Sequence, residues 1–179
     1  MTSDVAPRPF SSSTPSAGRS ALVLIAFLVI AFAVAALGGF STITQVDGWY
    51  AHAEKAFWTP PNVVFGPVWT VLYTLMSVAA WLVWRTPASP ARTRALRLYV
   101  VQLVLNALWT PTFFGLYPLA GPASWWIALA IILALDVLVL VTMIGFWRVR
   151  HVAAVLLIPY WAWVLYATTL NAAIPVLNR

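Results

Sequence analysis

The run SWWIALAIILALDVLVLVTMIGFW, Ser124 to Trp147, holds a single ionisable residue, Asp136. About 20 apolar residues, rising ~1.5 Å each as a helix, cross a hydrocarbon core roughly 30 Å thick. Backbone polar groups in lipid must be satisfied within the segment, so such a run is a helix. Working outward, four further stretches have the same character: Ser20–Ile43, Asn62–Arg85, Arg94–Leu116 and Val152–Ile174. The whole chain agrees, with 63% hydrophobic residues, 8% charged and 11 Trp among 179 residues. A soluble domain runs about 25% charged, and one of ~150 residues still leaves about 30% of its unfolded surface exposed. This much apolar surface has to face lipid. The expected fold class is all-α, an integral membrane bundle of five transmembrane helices.

Residues 1–19 are rich in Ser, Pro and Thr with little apolar content, which is the composition of a disordered tail. The apolar run that follows exceeds the 7–15 residues of a signal peptide core, so it reads as a retained first helix. Residues 20–179 form one domain without an internal repeat. The net charge of +6 would suggest nucleic acid in a soluble protein, but here the basic residues lie between spans and act as topology signals. Arg8, Arg19, Arg85, Arg92, Arg94, Arg97, Arg148 and Arg150 fall on one side of the membrane, against Lys55 and Arg179 on the other. That asymmetry places the N-terminus in the cytoplasm. A helical bundle is the architecture of a bacterial cytoplasmic (inner) membrane, with the outer membrane as the alternative. The chain has no Cys, which excludes disulfides, thiolate catalysis and cysteine-ligated metals.

Trp at span ends belongs by default to the interfacial belt; Trp84, Trp125, Trp126 and Trp147 are assigned there. Counting ~1.5 Å per residue from the outer ends puts Trp69 about 10 Å down the second span. Trp109 and Asn106 lie about 10 and 15 Å down the third, and Trp163 roughly 12–16 Å down the fifth. Spacing leaves open whether they face one another. Each of these spans also carries a proline, Pro67, Pro111 or Pro159. A proline frees a backbone carbonyl, and lipid tolerates that where neighbours or a cavity satisfy it. An amide such as Asn106 has the same need. These features fit an aromatic cavity; they fit equally well packing kinks and an interhelical hydrogen bond.

The first loop, 44–61, is long for a connection without structure of its own. Its sequence TQVDGWYAHAEKAFWTPP suits a partly helical lid, aromatics downward and Asp47, His52, Glu54 and Lys55 in water; an interfacial anchor is the alternative. Asp136 stands without an intramembrane base and reads either as a helix or dimer contact or as a proton relay. Ala31, Ala35 and Gly39 repeat at four-residue spacing on the first span and permit close helix approach, within the bundle or between subunits.

Three runs carry a resemblance: WTPPNVVFGPVWTVLYTLM (Trp58–Met76), QLVLNALWTPTFFG (Gln102–Gly115) and LLIPYWAWVLYATTLN (Leu156–Asn171). Together with the pair Trp49–Tyr50, they resemble the signature stretches of the translocator protein/tryptophan-rich sensory protein (TspO/MBR) family, which includes bacterial TspO and the peripheral-type benzodiazepine receptor. The resemblance implies a five-helix bundle, usually a homodimer, with a cavity under the first loop that binds protoporphyrin IX and related tetrapyrroles. It places ligand-contacting positions at Trp49, Tyr50, Trp69, Asn106, Trp109 and Trp163, with Ala167 at a small position tied to affinity. Trp58 and Tyr73, in the first run, complete the candidate set. Sterol binding is not supported, because Tyr166 is followed by no basic residue until Arg179. The third loop is longer than the resemblance implies, and Asp136 does not fall where relatives carry an acid.

The function expected is a membrane receptor or binding protein for porphyrins, serving tetrapyrrole regulation, stress response or removal. It requires no cofactor beyond that ligand and no nucleic acid. Lys55 is the loop cation available to a propionate. Two alternatives belong to other classes. One is light- and oxygen-dependent porphyrin breakdown with Trp69 and Trp163 as electron donors; the other is transport, for which five spans without an inverted repeat offer no coupling-ion site. No nucleophile–base pair or metal motif supports hydrolytic chemistry.

Overall fold

Ser16 caps the first helix by accepting from the Arg19 amide at 3.4 Å, and it is also where the description of the chain begins: the computed structural model describes residues 16–179. The elements are α1 (Ala17–Thr42), α2 (Trp49–His52), α3 (Phe65–Trp84), α4 (Pro90–Thr110), α5 (Tyr117–Ala120), α6 (Ala123–Trp147), α7 (His151–Val155) and α8 (Ile158–Leu177). A 3-10 turn, Asn62–Val64, leads into α3, and a π-helical turn, Pro111–Gly115, extends α4. Five helical stretches are long and apolar enough to cross a membrane: α1, Asn62–Trp84, Pro90–Gly115, α6 and His151–Leu177. The five-span all-α architecture is therefore as the sequence implies. Most of the expected tail, residues 1–15, lies outside the described residues; its last three positions, 17–19, are the first turn of α1.

The prolines take neither role mid-helix: none of the three stands in the interior of a regular α-helix. Pro67 lies in the first turn of α3 and Pro159 in the first turn of α8, where a missing N–H is no loss. Pro159 separates α8 from the short α7 through the turn at Leu156–Leu157. Pro111 opens the π-turn, its carbonyl accepting from the Leu116 amide at 2.9 Å; the wider turn carries the helix past the ring. Gly121, at φ 57°, then reverses the chain into α6, a backbone region open to glycine at little cost.

α4 packs along α6, α1 on α3 and α6 on α8, whereas α3 and α8 barely touch. The half of the bundle away from the first loop is solid: Met76, Ala79, Ala80, Val83, Tyr99, Val139 and Phe146 are all buried, with Phe27 edge-on to Tyr99 at 5.8 Å. α1 is peripheral. Only Ser20 and Ala31 of it are buried, and Leu22, Ile25, Val29 and Phe40 are exposed, as lipid-facing residues should be. The half nearer the first loop holds open space where α3 and α8 diverge.

Candidate ligand cavity

That space is a cavity of about 390 Å³, lined by α1, α3, α8, the end of α4 with its π-turn, and the first loop. α3 contributes Trp69 and Tyr73, stacked at 5.3 Å. Trp109 stacks on Phe113 at 5.5 Å, and α8 supplies Trp163, Ala167 and Asn171. The loop adds Val46 and Tyr50. The α1 wall consists of small residues: Ala35 and Gly39 line the cavity while Ala31 is fully buried in the core. Gly39 has nothing within 4 Å of where a Cβ would stand, so this end of the stripe leaves room for a ligand instead of seating a helix. Gly38 does meet a helix, since a Cβ there would lie 3.4 Å from the Thr110 hydroxyl.

Few polar groups in the lining are available. The Trp109 indole donates to Asn171 Oδ1 at 3.0 Å, and Asn171 Nδ2 donates to the Trp125 carbonyl at 3.1 Å. The Tyr73 hydroxyl donates to Asn106 Oδ1 at 2.6 Å. Among the buried side-chain polar atoms of this lining, Trp163 Nε1 alone has no partner. A buried donor left unmatched is unfavourable; the nitrogen itself is covered, so a bound molecule would meet the rest of the indole.

Of the nine candidate residues, Tyr50, Trp69, Tyr73, Trp109, Trp163 and Ala167 come together on the wall. The other three do not. Asn106 is buried behind Tyr73 with both ends of its amide spent, the Nδ2 donating to the Tyr160 hydroxyl at 2.9 Å and that hydroxyl to Gln102 Oε1 at 3.0 Å. It is interhelical glue, the alternative the sequence left open. Trp49 lies in a separate aromatic cluster, 4.2 Å from Tyr117 and 5.5 Å from Trp125, with its N–H on the Phe114 carbonyl. Trp58 rides on the outer side of α8, donating to Thr169 at 3.2 Å while its carbonyl accepts from the Tyr166 hydroxyl at 2.7 Å. Trp58→Phe removes only a partly exposed hydrogen bond and should change stability by about 0.5–1 kcal/mol. Ligand affinity, read by absorbance titration, should stay within about twofold.

The loop is thus tied down at both ends and mixed in its aromatics. Trp49 and Tyr50 point inward, whereas Phe57 is 95% exposed and Trp58 43%, the pattern of an interfacial anchor. Glu54 and Asn178 exchange two hydrogen bonds, at 2.8 and 2.9 Å, joining the loop to the end of α8. Lys55 folds back over the Tyr50 ring at 4.7 Å and donates to the Ala51 and Ala53 carbonyls, so its ammonium is already engaged. Burial, and after it the neighbouring Tyr166, push the Tyr50 phenol above its usual value of 10.0. The folded protein therefore holds this proton more tightly than the unfolded chain. The resulting stability is complete below about pH 10 and is lost as pH rises through the elevated value. Protease resistance of the loop should be flat to pH 10 and fall above it, and Tyr50→Phe should remove that fall.

One other expectation changes, and Asp136 takes one of the readings left open for it. Trp125, assigned to the interfacial belt, is 2% exposed and stacks on Tyr117 at 4.8 Å beneath the loop; Trp126 and Trp147 remain exposed. Asp136 is an interhelical contact: its Oδ2 accepts from Thr168 on α8 at 2.7 Å, and its backbone carbonyl accepts from the Trp161 indole at 3.1 Å.

The TspO/MBR family matches residues 26–177, which runs from within α1 through the other four spans and includes the whole cavity. The chain belongs to this family. It is 40% identical over 159 residues to the tryptophan-rich protein TspO of Archaeoglobus fulgidus, covering 88% of this chain and 97% of that one. The tryptophan-rich sensory protein of Cereibacter sphaeroides is 38% identical over 145 residues, or 81% and 86% of the two chains. The human translocator protein is 39% identical over 125 residues, 69% of this chain and 70% of its own. Within this TspO/MBR chain, sequence reasoning missed Asn171, Phe113 and Phe114 on the cavity wall. Asn171 carries the same signal as Asn106, an amide within a span. Phe113 and Phe114 gave none, because their direction depends on the π-turn.

Proposed function

We propose that this TspO/MBR protein is a membrane receptor that binds a porphyrin of the protoporphyrin IX type in the outer-half cavity, serving tetrapyrrole regulation, stress response or removal. One observation carries the reading: indoles from three helices, Trp69, Trp109 and Trp163, line a single apolar cavity. Its volume of about 390 Å³ lies within the ~300–1,000 Å³ of small-molecule sites. A flat apolar macrocycle suits such walls, since aromatic faces add ~0.5–1.5 kcal/mol per pair beyond burial. The family of the chain, with a relative named as a sensory protein, supports a receptor role. The arginines gathered at one end favour an N-terminus in the cytoplasm, and a homodimer in the cytoplasmic membrane completes the proposal.

The test is a titration of a small tetrapyrrole panel, following tryptophan quenching and the porphyrin absorbance band. Saturable quenching by protoporphyrin IX, abolished in the folded Trp69→Ala/Trp163→Ala protein, supports the reading; quenching indifferent to both substitutions overturns it. The position of Trp69 and Trp163 in one cavity also favours a second reading, light- and oxygen-dependent breakdown of the bound macrocycle with these indoles as electron donors. Illumination in air would then yield a bilin-like absorbance from the wild type and none from Trp69→Phe/Trp163→Phe, which retains the stacking faces.

A further inference from the structure

At the end of the bundle away from the cavity, α1 and α4 begin in the same unusual way. Each is capped by a serine, Ser16 or Ser89, that accepts from the amide of an arginine three residues on, Arg19 or Arg92. That position favours an acid, which completes a capping box and complements the positive end of the helix dipole. Here it holds a cation twice, and neither first turn contains an acid.

Both guanidinium groups lie against one indole, and Arg92 also donates to the Thr86 carbonyl at 3.1 Å. Arg19 Cζ lies 5.8 Å and Arg92 Cζ 5.7 Å from the ring of Trp84, at the end of α3. Arg85, the next residue, lies over Trp81 at 4.7 Å. Trp81 in turn donates to the Ser20 carbonyl at 2.9 Å, and the Ser20 hydroxyl is buried with no partner. Three guanidinium groups are thus held on two indoles at the junction of α1, α3 and α4. Among the described residues the acids are Asp47 and Glu54 in the first loop and Asp136 within α6, so no carboxylate shares this end. Residues 1–15 carry one acid and one base, Asp4 and Arg8. Sequence-level topology requires arginines on this side, but it does not require three of them to be held on two indoles beside two helix N-termini.

We infer that this junction is a binding site for the headgroup of an anionic phospholipid. The phosphate of such a lipid supplies the negative charge that both helix starts lack, and guanidinium forks bind phosphate oxygens in pairs. The membrane setting selects a lipid over free phosphate. The site lies where the spans leave the bilayer, and Leu22 and Ile25 of α1, just beyond it, are exposed for acyl chains. The inference is independent of what fills the cavity.

The test uses the full chain in detergent and native mass spectrometry, with phosphatidylglycerol and phosphatidylcholine as competing probes. The wild type should prefer one phosphatidylglycerol by about thirtyfold, the contribution of two juxtamembrane cations. Arg19→Gln/Arg92→Gln should reduce this to about twofold, whereas Arg148→Gln/Arg150→Gln, of equal net charge, should retain it. sn-Glycerol 3-phosphate should not displace the lipid. Equal retention of both lipids by the wild type overturns the inference without any variant. Equal loss in both double variants, or displacement by the soluble phosphate, overturns it as well. Should the glutamine pair fail to fold, Arg19→Lys/Arg92→Lys keeps the charge while losing the planar fork, and a preference undiminished there rejects the proposed contacts.

Discussion

Trp163→Ala is expected to weaken protoporphyrin binding by about a hundredfold, as the sum of lost stacking and lost apolar burial. The absorbance shift of the porphyrin is the proper readout, because it does not depend on which indole has been removed. Trp163 is a clean probe for a structural reason. Its N–H has no partner, and its ring touches Phe65 edge-on at 5.8 Å and Tyr166 at 5.4 Å, so truncation breaks no hydrogen bond in the bundle. Trp109 is a poor one by comparison: removing it orphans Asn171 Oδ1 and disturbs the packing that carries Trp125. Trp163→Phe separates the two contributions. The stacking face stays and only a covered N–H goes, so affinity should fall by no more than about threefold. An unchanged affinity in Trp163→Ala would remove this cavity as the porphyrin site.

How much of this was legible follows from what a sequence encodes about a helix in lipid. Hydropathy fixed where the five spans run, and their ends were misplaced by only a few residues, as at Arg94, where α4 begins at Pro90. Depth was also legible, because rise per residue is nearly constant; Trp69, Trp109 and Trp163 do share one cavity. Azimuth was not. A lipid-embedded helix has apolar residues on every face, so nothing in the pattern says which side of α4 Asn106 occupies. An amide requires only that its hydrogen bonds be met, and its partners are 33 and 54 residues away in sequence. Trp125 was misread for a related reason. A Trp at a span end is interfacial unless something covers it, and what covers it is Trp49, carried by the first loop, and Tyr117, brought there by the π-turn and the reversal at Gly121. The same local geometry hid Phe113.

The network that displaced Asn106 from the wall makes the second large prediction: Asn106→Leu should destabilise the protein by about 2–3 kcal/mol. Proton bookkeeping explains the size. Tyr73 donates to Asn106, Asn106 to Tyr160, and Tyr160 to Gln102, so the chain runs in one direction. Leucine deletes its middle. Tyr160 keeps its acceptor, but the buried Tyr73 hydroxyl loses the only one it has in this network. An intramembrane hydrogen bond is worth on average only ~0.6 kcal/mol, so most of the loss comes from leaving that donor unmatched. The double variant Asn106→Leu/Tyr73→Phe should therefore be less destabilised than the sum of its parts by about 1 kcal/mol, because no orphan remains. Thermal unfolding in detergent measures both terms. Porphyrin affinity should fall in Asn106→Leu as well, since Tyr73 stacks on Trp69 at 5.3 Å and loses the bond that orients it. Strict additivity of the two substitutions would show instead that Tyr73 finds another partner, and that the network does not hold the cavity wall in place.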